Sequence, residues 1–217
     1  LYIFEQLIRN LQDVTQGCGA VVPLLIMTSV LNDEATRDFL EEHDYFGYPS
    51  EEVFFFRQEM APAVDERGQL LMSAKDSLAL SPNGNGGWYI SLERAGLVKE
   101  MSARGVEWFN VFAVDNVLQR IADPEFLGAT ILSGKATGAK FVRKAYPEER
   151  VGVLCLEDGL PNVIEYYELS EKMANLRDGE GRLIYSFGVT LNYLFRLDVL
   201  KRIAREHLPV HAANKKI

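Results

Sequence analysis

The chain has 217 residues, 47% of them hydrophobic and 25% charged, with a net charge of −8 and a pI of about 5.0. That length and composition suit one sizeable globular core, and the negative field repels nucleic acid and anionic membrane rather than attracting them. No apolar run reaches the roughly 18 residues of a membrane-spanning helix, and no signal peptide is legible at the start. Cys18 and Cys155 stand in apolar segments far apart and read as buried, reduced thiols of a cytoplasmic protein.

In segment 1–15, Phe4, Leu7, Ile8 and Leu11 share one helical face, and Gly17 and Gly19 end the helix. The nearly continuous apolar run 21–28, with Pro23 near its start, predicts a buried strand. Asn32 with Asp33 and Glu34 opens a helix that runs to about His43, and 53–56 is a short buried strand. Ala63-Val64 and Leu70-Leu71-Met72 flank Asp65-Glu66-Arg67-Gly68 as a hairpin. The amphipathic run 88–101 predicts a helix that Gly105 stops, and 108–114 predicts a strand ending at Asp115-Asn116. Beyond it, 139–144 and 151–156 are strand-like, and Asp158-Gly159 turns the chain into a strand at 162–167. Gly179 and Gly181 mark a loop, 183–185 predicts a strand, and 198–207 predicts a last helix. Strands alternating with helices predict an α/β fold with a mixed, mostly parallel sheet, helices on both faces and additional antiparallel strands in the second part. No repeat, low-complexity tract or linker divides the chain, so one domain over 1–217 is expected.

The most informative stretch is Pro82-Asn83-Gly84-Asn85-Gly86-Gly87, directly before the amphipathic run. Its glycines permit positive φ and close approach to the main chain, and the following helix offers unpaired N–H groups to an anionic or carbonyl-bearing small molecule. Asn-Gly pairs are equally the commonest mark of a plain tight turn. Gln58 follows Phe54-Phe55-Phe56-Arg57 with a planar amide that suits the imide edge of uracil, or is simply solvated at a strand end. Asp115 has the oxygen chemistry for Mg²⁺, with phosphates completing the shell, or caps the segment after it. Glu165, in its alternating strand, accepts from sugar hydroxyls or faces solvent. Gly152, between Val151 and Val153, admits a ligand or marks a bulge. Lys215 and Lys216 neutralise charge in phosphoryl transfer or form a solvated basic tail. Thr28 and Ser29, Gln58, the glycine motif and Asp115 all fall at or just beyond strand carboxyl ends, where open α/β sheets bind ligands, and that agreement favours a binding site. His43, His207 and His211 have no Cys/His partner at metal-ligand spacing, and no Gly-x-Ser-x-Gly, Ser-x-x-Lys or Walker A pattern occurs.

Nine blocks, in order, carry a resemblance: Met27-Thr28-Ser29, Tyr45-Phe46-Gly47, Phe55-Phe56-Arg57-Gln58, the glycine motif, Val114-Asp115-Asn116, Asp123-Pro124, Glu149-Arg150-Val151-Gly152-Val153, Val163-Ile164-Glu165-Tyr166 and Lys215-Lys216-Ile217. Together they resemble the UDP-N-acetylhexosamine pyrophosphorylase family of UTP-dependent UDP-sugar pyrophosphorylases. The resemblance implies a Rossmann-like nucleotide-diphospho-sugar transferase core. It also implies conversion of UTP and a sugar 1-phosphate to a UDP-sugar and pyrophosphate, with Mg²⁺. On that resemblance Gln58 binds uracil, and Asn85 with Asn83, Gly84 and Gly86 lines the nucleoside and sugar pocket. Asp115 meets the ribose-phosphate region and the metal, Gly152 and Glu165 face the sugar, and Lys215 and Lys216 approach the phosphates.

The family's glycine-rich phosphate loop, with its arginine and following lysine, is expected immediately before Leu1, so the chain reads as an interior piece of a longer enzyme. The alternative is a catalytically incomplete fragment that binds UDP-sugar or uridine. The resemblance points to N-acetylglucosamine 1-phosphate as the sugar substrate. The family's hexosamine enzymes, however, place an asparagine that helps bind the N-acetyl group where this chain has Val189, and Tyr166-Tyr167-Glu168 changes the pattern after Glu165. Valine offers no amide hydrogen bond, so sugar preference is expected to shift.

Overall fold

The computed structural model describes residues 1–203. The chain divides into two compact units, the first made of Leu1–Asn10 and Trp108–Phe195, the second of Leu11–Glu107 and the described residues from Arg196 onward. Helix α1, Ile3–Cys18, buries Leu7, Ile8 and Leu11 on its apolar stripe. It runs past Gly17 and ends before Gly19, whose φ of +65° no helix accommodates.

In the second unit, β1 (Leu24–Thr28) is joined through α2 (Asp33–Glu42) to β2 (Val53–Arg57). The two strands pair in parallel, from Leu24 opposite Val53 to Thr28 opposite Arg57. Strands β3 (Met60–Pro62) and β6 (Leu80–Pro82) pair antiparallel, as do β4 (Met72–Ala74) and β5 (Ser77–Leu78). The bridge between Val64 and Leu70 closes the hairpin expected around 65–68, with the Asp65 carboxylate accepting from the Arg67 and Gln69 N–H groups at 2.8 Å each. The amphipathic run after the glycine motif is two helices, α3 (Trp88–Arg94) and α4 (Leu97–Ala103), because Gly96 breaks it at φ 79°. The Arg37 guanidinium lies 4.2 Å from the centre of the Phe55 ring and that of Arg104 lies 4.8 Å from Phe54. Neighbouring strand residues point to opposite faces, so helical side chains cover both sides of β2.

The first unit holds a five-stranded sheet in the order β10-β9-β11-β7, with β8 also paired to β11. Its elements are β7 (Trp108–Phe112), α5 (Pro124–Leu132), β8 (Thr137–Arg143), β9 (Val153–Glu157), β10 (Leu160–Ile164), the short α6 (Glu171–Ala174) and β11 (Phe187–Arg196). Asp123 caps α5 by accepting from the Glu125 N–H at 3.2 Å, with proline in the first turn. Asp158 and Gly159, both at positive φ, make the turn between β9 and β10. Helix α7 (Leu197–Ile203), in the second unit, is tied to that unit by the Leu197 N–H to the Glu107 carbonyl at 2.8 Å and by Lys201 Nζ to Ser102 Oγ at 2.9 Å.

The expected mostly parallel sheet is corrected in part. Parallel pairing is seen between β1 and β2, whereas β8–β11, β9–β11 and β9–β10 are antiparallel. A two-residue turn joins β9 directly to β10, and only antiparallel neighbours accept so short a connection. Segment 183–185 forms no strand and keeps one bridge, Leu183 to Arg177. Both cysteines are free, as a reduced pair would be, but neither is buried: Cys18 is exposed as the last residue of α1, and Cys155 is half-buried.

Candidate functional site

In the second unit the site grows from the carboxyl ends of β1 and β2. The Gln58 N–H reaches the Thr28 carbonyl at 2.8 Å, carrying the ladder one residue past β2 and leaving the half-buried amide at the strand end. Just beyond β1, Ser29 donates to Asn32 Oδ1 from its N–H at 2.7 Å and its hydroxyl at 3.0 Å, which turns the chain into α2. The glycine motif comes to the same place, since the Asn83 N–H donates to the Glu59 carbonyl, one residue from Gln58, at 3.0 Å. An ion pair between Glu59 and Arg94 ties this point to the end of α3. Gly84, at φ 83°, turns the chain into a short 3-10 turn over Asn85–Gly87, and Asn83, Gly84, Asn85 and Gly86 are all exposed. The structure thus brings the start of the glycine motif beside the segment that carries Gln58.

In the first unit, Asp115 follows β7 in an exposed turn. It caps no helix, because α5 begins later and is capped by Asp123. The turn is closed across Asp115 by Gln119, whose Nε2 donates to the Ala113 carbonyl at 2.6 Å. Gln119 is itself held. Its Oε1 accepts from Asn192 Nδ2 at 3.3 Å, and Asn192 Oδ1 accepts from Asn110 Nδ2 at 2.9 Å. Asn192 is only 1% exposed, so these amide bonds satisfy a side chain that would be costly to bury unpaired.

The residues expected on the sugar side also meet within the first unit. The Val189 N–H donates to the Gly152 carbonyl at 2.8 Å. A Cβ on Gly152 would stand 3.0 Å from Val163 Cγ1 and 3.4 Å from Glu165 Oε2, so the glycine lets β10 and the Glu165 carboxylate close in. Glu165 lies not in the strand but one residue past it, in a turn where its carbonyl accepts from the Glu168 and Leu169 N–H groups. Register shifts in β11 between Val189 and Tyr193, with Leu191 at φ 49°. That bulge sets Val189 beside Gly152 and Asn192 in the amide chain. Burial, and then the Glu165 charge, push the Tyr193 hydroxyl above its ordinary pKa, which places Tyr193 in the field of that carboxylate.

Lys215 and Lys216 lie outside the described residues, as do His207 and His211. Among the described residues no group of three or more His, Cys, Asp and Glu side chains could hold a metal ion by itself, and no helix is long and apolar enough to cross a membrane. The model of one family, described as UTP--glucose-1-phosphate uridylyltransferase, matches residues 2–216. The chain belongs to that family. It is 41% identical over 213 residues to the human UDP-N-acetylhexosamine pyrophosphorylase-like protein 1, covering 97% of this chain and 42% of that protein. It is 39% identical over 217 residues to the UDP-N-acetylglucosamine pyrophosphorylase of Saccharomyces cerevisiae, covering 98% of this chain and 45% of that one. Among solved structures, the uridine diphosphate N-acetylglucosamine pyrophosphorylase of Trypanosoma brucei, crystallised with an inhibitor, matches with a TM-score of 0.81 at 29% identity, covering 94% of this chain and 42% of that chain. The chain therefore spans less than half the length of these relatives.

Beside the site, Asp33 is a first-turn acid of α2 that is only 3% exposed. Its Oδ1 accepts from Thr28 Oγ1 at 2.5 Å, and its Oδ2 accepts from Arg57 Nη2 at 2.7 Å, Arg57 Nε at 3.0 Å and Arg37 Nε at 3.1 Å. Burial pushes the carboxyl up, but the bonds from Thr28, Arg57 and Arg37 outweigh it and hold the pKa down to about 2 from an ordinary 3.8. A lowered folded-state pKa contributes stability that is complete above the unfolded value and is lost as pH falls through the folded one. Thermal melts are therefore expected to show a steep loss of Tm between about pH 4 and about pH 2. Asp33→Asn is expected to melt roughly 5–10 °C lower at neutral pH with a shallower acid limb. A variant whose acid limb matches the native one would show that this carboxyl does not titrate there.

Proposed function

We propose that the chain is part of an enzyme that transfers a uridylyl group from UTP to a sugar 1-phosphate, giving a UDP-sugar and pyrophosphate. The family match over residues 2–216 carries this reading, and the names of the human and yeast relatives support it. Its core is Rossmann-like, a view supported by the parallel β1–β2 pair with helices over both faces. Gln58 and the glycine motif take the uridine, Gly152, Glu165 and Val189 face the sugar, and Lys215 and Lys216 approach the phosphates. An oxygen of the sugar phosphate attacks the α-phosphorus of UTP as the bond to the departing pyrophosphate breaks in line. The protein contributes position and charge rather than a covalent nucleophile.

Asp115 would hold Mg²⁺ together with the substrate phosphates. One exposed carboxylate on a fixed loop fits that donor set, since Mg²⁺ is commonly held by one or two carboxylates plus phosphate and water. When bound, the ion neutralises charge on the phosphates. Two free thiols fit a reducing compartment, and we place the reaction in the cytoplasm.

The relatives' names favour an N-acetylhexosamine 1-phosphate. Val189, beside Gly152, offers methyl groups where an amide would bond an N-acetyl group. Val189→Asn is expected to raise the kcat/KM ratio of N-acetylglucosamine 1-phosphate over glucose 1-phosphate about tenfold, the worth of one good hydrogen bond. An unchanged ratio would remove this position from sugar choice. The activity itself is tested by pyrophosphate release from UTP with a panel of sugar 1-phosphates. Binding of UDP-sugar without any pyrophosphate release would restrict the chain to nucleotide-sugar binding.

A further inference from the structure

We infer that Gln119 is a positioning residue for the Asp115 carboxylate: it is the last link in a one-way run of side-chain amides that pins both ends of segment 113–122. The inference rests on the reading of Asp115 as the residue that meets Mg²⁺ and phosphate.

A side-chain amide can turn over and exchange donor for acceptor, so it holds its neighbours in place only where its own orientation is fixed. Backbone groups fix it at both ends of this run. At one end the Ala122 N–H, which can only donate, reaches Asn110 Oδ1 at 2.8 Å. Asn110 Nδ2 therefore faces the other way, donating to Asn192 Oδ1 at 2.9 Å and to the Tyr193 carbonyl at 3.0 Å. Asn192 Nδ2 in turn donates to Gln119 Oε1 at 3.3 Å. At the far end Gln119 Nε2 donates at 2.6 Å to the Ala113 carbonyl, which can only accept. Turning over any one amide sets donor against donor on one side and acceptor against acceptor on the other. Gln119 and Asn192 are both buried, so solvent does not repair such a mismatch.

The two backbone ends, Ala113 and Ala122, bracket Asp115. Asn110 comes from β7 and Asn192 from its neighbour β11, so the loop hangs from two paired strands. Its main chain is held at two further points, by the Ala113 N–H on the Leu191 carbonyl at 3.3 Å and by Asn10 Nδ2 on the Gln119 carbonyl at 3.3 Å. Of the three amides, Gln119 is the one the loop itself supplies. Asp115 reaches out from this loop through only two rotatable bonds, and its two carboxylate oxygens are alike, so turning the group over changes nothing. Where its Cα stands therefore decides where the charge can stand. Gln119 itself meets no substrate; it acts through the loop.

The test is calorimetric titration of UDP, with Mg²⁺ and with EDTA, and of uridine into the native chain, Gln119→Met, Gln119→Asn and Asp115→Ala, each held well below its own melting transition. Gln119→Met keeps the length of the side chain and loses its amide. Gln119→Asn keeps an amide that is one methylene too short to span from Asn192 to Ala113, and it decides the matter if Gln119→Met does not fold. Mg²⁺ is expected to tighten UDP binding to the native chain roughly tenfold, and Asp115→Ala to lose that gain. Folded Gln119→Met and Gln119→Asn are expected to keep a gain below about threefold, with the Kd for uridine within about threefold of native. A purely structural role lowers Tm but leaves the gain from Mg²⁺ unchanged. If Asp115→Ala loses the gain while the Gln119 variants keep it, the inference is overturned and the reading of Asp115 stands. If the Gln119 variants lose uridine binding along with the gain, the effect is general loosening and the inference is again overturned. A native chain without the gain, or without binding, or an Asp115→Ala variant that keeps the gain, overturns both.

Discussion

Asp115→Ala is expected to cut pyrophosphate release roughly a thousandfold in an active preparation containing this chain, while the Kd for uridine moves by less than about threefold. The separation follows from where the residue stands. Its carboxylate is exposed and bonds to none of the described residues, whereas the turn that carries it is closed by Gln119 on the Ala113 carbonyl. Truncation therefore removes a charge without loosening the loop, and Tm should move by no more than about 2 °C. Asp115→Asn keeps the shape and loses the charge, and it should be as slow as the alanine variant. If asparagine restores most of the rate, the side chain positions substrate rather than balancing phosphate charge. If alanine leaves the rate intact, Asp115 has no part in the chemistry.

Much of the fold was legible where local pattern and burial agree. The apolar runs behind β1 and β2 are strands that pair with each other in parallel, and Asp158-Gly159 marks a turn because its two residues take positive φ. The break at Gly96 was hidden, since the apolar period of α3 continues in α4 and carries no trace of one residue at φ 79°. Strand β11 was hidden for a related reason. Its bulge at Leu191 shifts the register, so the alternation that announces a strand is interrupted halfway. Helix α5 is apolar on nearly all sides and gave no periodic signal, yet Asp123-Pro124 is a helix-start signature that would have found it.

The site divides along the same line. Gln58 and the glycine motif are short and local, and a motif is enough to see them. The supports are not local. Asp33 reads in sequence as an ordinary acid in a helix first turn, and nothing short of the fold reveals that Arg57, 24 residues on, closes over it. Asn110 and Asn192 meet across 82 residues, and isolated asparagines read as loop residues until the bulge of β11 turns one into the other. The residues proposed to meet a ligand are thus easier to read than those that hold them in place, because recognition uses a chemical type while support uses an encounter between distant segments.

Gly152→Val is expected to raise the KM for sugar 1-phosphate about a hundredfold and leave uridine binding within about threefold of native, because roughly 1 Å of misplacement can cost two orders of magnitude. The crowding is specific. A single Cβ at this position already stands 3.0 Å from Val163 Cγ1 and 3.4 Å from Glu165 Oε2, and a valine adds two methyl groups in the same direction. Relief requires β10 to retreat or Glu165 to swing away. Either movement disturbs the carboxylate proposed to meet the sugar hydroxyls. The carbonyl of residue 152 still accepts from the Val189 N–H, since backbone bonding survives the substitution, so the sheet is expected to persist with Tm lowered by several degrees. Gly152→Ala should fall between, with a KM increase of about tenfold. Paired measurements of KM for the sugar phosphate and Kd for uridine separate a local effect from general loosening. If both rise together in the valine variant, Gly152 serves the packing of the sheet, and the sugar is bound elsewhere.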